Sequence, residues 1–166
     1  MELWGLACLA VLAAGLGALS VIDFRTGYLP DWIQILLALA GIAALSIGSP
    51  IGVSWTSGAA GAALNMAVFY GLRWLVSRMK QREAMGLGDV KLVGVGGLWL
   101  GPWALPYIMA AGGIVTLLGA GVAGLITGKP VWKGEMPLGP GLALGILGTF
   151  IAALFKVPFI DLSPLP

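Results

Sequence analysis

Six apolar stretches separated by short polar breaks fill almost all of this chain, and they fix what it can fold into. They run over residues 3–22, 32–48, 57–77, 89–101, 104–127 and 138–156. An apolar run of about 18 or more residues is long enough, as a helix, to cross a bilayer. Lipid offers no partner to a backbone amide, so such runs cross as helices. The expected fold is all-α: a polytopic membrane bundle of about six transmembrane helices, in a single domain over residues 1–166. The fourth stretch is short. It opens with Asp89 and Lys91 and Pro102 follows it, which suits a tilted or partly buried helix better than a lipid-facing one.

Composition narrows the chemistry. The chain is 59% hydrophobic and 10% charged, whereas an ordinary soluble domain is about 25% charged. There is no histidine, which removes Ser-His and Cys-His nucleophiles and the commonest metal ligand. The one cysteine, Cys8, lies within the first apolar stretch, so neither an intrachain disulfide nor a cysteine zinc site can form. No metal or cofactor is expected. The net charge of +2 is small, and topology explains the basic residues better than a nucleic-acid partner does. The start, Met1-Glu2-Leu3-Trp4, lacks the basic region of a signal peptide, so the first stretch is read as a retained helix.

Basic residues near span ends mark the cytoplasmic side. With the N-terminus outside, Arg25, Arg73, Arg78, Lys80, Arg82, Lys91, Lys129 and Lys133 all fall inside, and only Lys156 falls outside. Both termini are therefore expected on the outer face and the two long charged loops in the cytoplasm. This orientation places Asp23, at the inner end of the first span, and Asp89, at the inner start of the fourth, at the same depth.

A carboxylate at bilayer depth is costly and marks a functional site by default. Asp23 lies in Ile22-Asp23-Phe24-Arg25-Thr26-Gly27-Tyr28-Leu29-Pro30-Asp31. Gly27 and Pro30 should stop the first helix, leaving Asp23 on its last turn, where the helix dipole disfavours an anion. Arg25 could offset this by folding back. Asp31, after Pro30, is placed to cap the second helix. Asp89 lies in Gly86-Leu87-Gly88-Asp89-Val90-Lys91-Leu92, where a cap or first-turn position favours the anion. Met136-Pro137-Leu138-Gly139-Pro140-Gly141-Leu142-Ala143-Leu144-Gly145 should form a rigid turn at the inner start of the last span. Each segment also has a plain reading: a helix end, a cap after a flexible loop, and helix initiation. Small residues four apart, at Ala14/Ala18, Gly97/Gly101, Gly124/Gly128 and Gly141/Gly145, suit close helix packing.

Taken together and in order, these three motifs resemble the peptidase domain of type IV prepilin peptidases, relatives of archaeal preflagellin peptidases and of the wider Gly-x-Gly-Asp class of intramembrane aspartic proteases. The resemblance covers nearly the whole chain. It implies two catalytic aspartates, carried here by Asp23 and Asp89. It implies cleavage of short basic leader peptides from prepilin or pseudopilin precursors at the cytoplasmic face of the inner membrane, by a multi-pass enzyme embedded in lipid. Gly86, Gly88 and Lys91 of the second motif, and Pro137, Gly139 and Pro140 of the third, become candidates for shaping the site or binding substrate. Many bacterial members carry an N-terminal region with paired cysteines and an N-methyltransferase activity. This sequence shows no cysteine pair, so that region is not expected here.

Two other readings are weaker. A small proton- or ion-coupled transporter using the two aspartates as a relay needs a polar path across the membrane. The outer halves of the spans offer only scattered serines and threonines and Asn65. A non-catalytic membrane subunit would have little reason to keep both aspartates.

Overall fold

The computed structural model describes residues 3–81, 86–127 and 138–157. Those residues form six α-helices: α1 (Leu3–Thr26), α2 (Asp31–Ile47), α3 (Trp55–Lys80), α4 (Leu87–Leu100), α5 (Ala104–Thr127) and α6 (Gly139–Leu154). They contain no strand. The all-α bundle read from the apolar stretches is the fold observed. Three helices have the length and apolarity to cross a membrane, over Leu3–Thr26, Trp55–Met79 and Ala104–Val122. α2 and α6 are shorter apolar helices.

The outer surface is apolar where a water-soluble protein would be polar. Ile35, Leu36 and Leu39 on α2, and Ile114, Leu117, Leu118 and Leu125 on α5, are all exposed. Such a continuous apolar surface matches lipid.

α4 is the centre of the bundle. It packs against α2, α3, α5 and α6, and ten of its fourteen residues are buried. A helix that is apolar all round belongs inside a protein, which is why this short stretch need not have the length of a lipid-facing span. Its C-terminal end is held on two sides. The Trp99 indole N–H donates to the Leu37 carbonyl of α2 at 2.9 Å. The Trp99 ring also meets Phe150 of α6 edge to face, with ring centroids 5.8 Å apart.

Glycine decides two helix crossings. At α3–α4, a Cβ on Gly61 would run into the Gly97 carbonyl, and a Cβ on Gly97 into that of Gly61. At α5–α6, a Cβ on Gly112 would lie 2.8 Å from the Gly141 carbonyl, and one on Gly145 would lie 3.0 Å from the Gly112 nitrogen. The expected packing role of Gly97 and of Gly141/Gly145 is thus met. Ala14 and Ala18 are exposed instead, and α1 approaches α2 through Gly15, which faces Leu37. Gly101 ends α4 with φ +86°. Gly128 lies outside the described residues.

Candidate active site

α1 continues four residues past the end of its apolar stretch, to Thr26, and places Asp23 on its last turn. Gly27 ends the helix: it adopts φ +65° and its N–H donates to the Asp23 carbonyl at 2.8 Å. A left-handed residue after the last turn is the usual helix stop, and glycine adopts it without strain. α4 starts at Leu87 with Gly86 as its N-cap, so Asp89 is the third helical residue. From there its carboxylate reaches back to the Gly86 N–H, the acidic half of a capping box.

The structure brings the two acids together. Asp23 is 7% exposed and Asp89 is 8% exposed, and the Asp23 carboxylate acts electrostatically on Asp89. Burial acts on both groups, over the opposite influences of the two helix ends, and the Asp23 charge adds its own repulsion at Asp89.

The third motif joins them. Gly139 is buried at the first position of α6, followed by Pro140 in the first turn. Its N–H is directed at the Asp23 carboxylate. A Cβ on Gly139 would lie 2.5 Å from Asp23 Oδ2 and 2.9 Å from Cγ. Asp23 Oδ2 is buried and has no hydrogen-bond partner among the described residues. The sequence offered Gly139 as part of a rigid turn and, through the resemblance, as a site-shaping candidate; that its backbone stands against Asp23 had no signal in it. Pro137 lies outside the described residues.

Two expectations change. Arg25 is exposed and forms no ion pair with Asp23. Asp31 does not cap α2: the N-cap is Pro30, whose side chain offers no acceptor, and Asp31 is the first helical residue. Its carboxylate accepts instead from Lys91 Nζ, at 2.8 Å to each oxygen. Lys91 is thereby placed at the rim of the site, two residues beyond Asp89. Gly88 also borders that rim: a Cβ there would lie 2.8 Å from the Leu29 Cβ. Among the described residues no cluster of metal-ligating side chains forms.

Two buried carboxylates at one helix end and one helix start, with a backbone N–H on the first, can hold one proton between them and activate a water.

A family model described as the type IV leader peptidase family matches residues 10–129, a span that takes in both aspartates. Curated relatives agree. The chain is 36% identical over 156 residues to a type 4 prepilin-like proteins leader peptide-processing enzyme of Escherichia coli O78:H11 (strain H10407 / ETEC), covering 92% of this chain and 54% of that protein. It is 34% identical over 154 residues to a prepilin leader peptidase/N-methyltransferase of Burkholderia pseudomallei (strain 1026b), covering 89% and 46%. A protein of the same name from Dichelobacter nodosus is 34% identical over 134 residues, covering 81% and 44%. The chain spans about half the length of these relatives. No solved structure matches.

Proposed function

The chain belongs to the type IV leader peptidase family, and from that premise we propose that it is an intramembrane aspartic endopeptidase whose reacting pair is Asp23 and Asp89. Its substrates are prepilin or pseudopilin precursors, cut at the cytoplasmic face of the inner membrane, between a short basic leader and the apolar helix that follows. The observation that carries the reading is the burial of two carboxylates, on the last turn of α1 and the first turn of α4, near enough that the Asp23 charge acts on Asp89.

The chemistry follows from that pairing. Two carboxylates this close cannot both ionise easily, so the pair holds one proton between them. The ionised member takes a proton from water, and the resulting nucleophile attacks the scissile carbonyl. The protonated member donates a hydrogen bond to the developing oxyanion and then delivers its proton to the departing amine. The Gly139 N–H, directed at Asp23, holds that carboxylate in one orientation, and the Gly86 N–H does the same for Asp89. The order of the two roles is a property of the pair rather than of either residue.

The surroundings suit a membrane-borne substrate. The apolar outer faces of α2 and α5 leave the helix of a pilin-like precursor free to lie in lipid beside the bundle. Its scissile bond, at the junction with the leader, then arrives at the helix ends that carry the two acids.

The test is a cleavage assay in proteoliposomes with a precursor bearing a basic leader and an apolar segment. Mass analysis of the products should show one cut at the junction between them. Cuts scattered along the substrate, or none under conditions where the protein is folded, would count against the reading.

A further inference from the structure

One pair of charges at the rim of the site takes no part in that chemistry. Lys91 Nζ lies 2.8 Å from both carboxylate oxygens of Asp31. The two side chains are 47% and 52% exposed, and a pair so open to solvent adds little to overall stability. Its place in the fold gives it another use. Lys91 is on α4, two residues past Asp89, and Asp31 opens α2, at the end of the short turn that leaves α1 just after Asp23.

α4 is fastened firmly at its C-terminal end, where Trp99 bonds to Leu37 and Gly97 meets Gly61. Two contacts secure its N-terminal end to the α1–α2 turn. Leu29 packs on Gly88, and Asp31 binds Lys91. These contacts flank Asp89 on both sides in sequence. The chain from Asp23 through the turn to Asp31, across the ion pair to Lys91 and back to Asp89, therefore forms a closed circuit that begins and ends on the two acids.

We infer that Asp31 and Lys91 are positioning residues, whose ion pair fixes the first turn of α4 against the α1–α2 turn and so sets the spacing of Asp23 and Asp89. This rests on the peptidase reading above. Reacting groups displaced by about 1 Å can lose up to about 100-fold in rate, so a pair of little value to stability can matter to turnover.

The experiment measures single-turnover cleavage of a prepilin-like precursor per folded molecule, and KM separately. Lys91→Gln and Asp31→Asn should each lower the single-turnover rate by about tenfold and leave KM unchanged. The double variant should be no slower than either single, because each breaks the same contact. Lys91→Arg should recover most of the rate, as should the exchange Asp31→Lys with Lys91→Asp. Single variants at parental rate would overturn the inference. So would a loss confined to KM, which would make the pair a leader-docking site, or losses that multiply in the double variant. Asp23→Ala, run alongside, separates the two ideas: cleavage by that variant would overturn the Asp23–Asp89 pair on which the inference rests.

Discussion

Gly139 stands against Asp23 so closely that a Cβ added to the glycine would lie 2.5 Å from the carboxylate Oδ2. The start of α6 thus sets where the carboxylate at the end of α1 can point. The contact is to side-chain atoms, so a methyl group there pushes the carboxylate rather than the helix backbone.

Gly139→Ala should therefore insert and fold, yet lose about 100-fold in single-turnover cleavage. The check is rate per folded molecule, with folded protein measured by thermal unfolding in detergent. Parental activity would mean that Asp23 can reorient freely.

Trp99→Phe removes the indole N–H that bonds to Leu37 while keeping a ring against Phe150. It leaves the buried Leu37 carbonyl with one partner fewer, a net loss of about 0.5–1.5 kcal/mol. A lower unfolding midpoint with cleavage per folded molecule largely retained is the expected result.

Gly97→Ala and Gly61→Ala should be far more damaging, because each methyl would meet backbone rather than a movable side chain. Separating α3 from α4 disturbs the helix that carries Asp89. Low yields of folded protein are expected for both, read by size-exclusion profile and protease resistance. Gly113→Ala, where a Cβ would meet nothing within 4 Å, should behave like the parent.

The apolar stretches made the six helices legible because lipid demands a minimum apolar length. The first apolar stretch ends at residue 22 because Asp23, Arg25 and Thr26 are polar, but Gly27 marked the true stop of α1, with Asp23 on its last turn. The shortness of the fourth stretch and the charges at its start marked α4 as partly buried, as it is, but that it packs against four other helices came only from the structure. The meeting of Asp23 and Asp89 was legible because both stood at the same predicted depth. The Asp31–Lys91 pair was not: sixty residues separate the partners, and Pro30-Asp31 also fits a local cap. Spacing of small residues found the faces that touch at Gly97 and Gly141 but failed at Ala14 and Ala18, because spacing alone does not say which face of a helix is covered.

Orientation can be tested separately. Single cysteines at Ser54 and Gln81, both exposed at opposite ends of α3, introduced into a Cys8→Ser background, should label from opposite sides of the membrane. Position 81 should react from the cytoplasm and position 54 from outside, as the distribution of Lys and Arg requires. The reverse pattern would place the paired acids at the outer face and rule out cleavage on the cytoplasmic side.

The most direct test of the paired-carboxylate mechanism is the single-turnover rate of Asp23→Asn and Asp89→Asn on a defined precursor in proteoliposomes. An amide keeps the size and much of the hydrogen bonding of the acid but cannot exchange the proton. Both variants should insert, fold and bind precursor as the parent does, and both should fail to cleave it. Near-parental turnover by either one would contradict the mechanism.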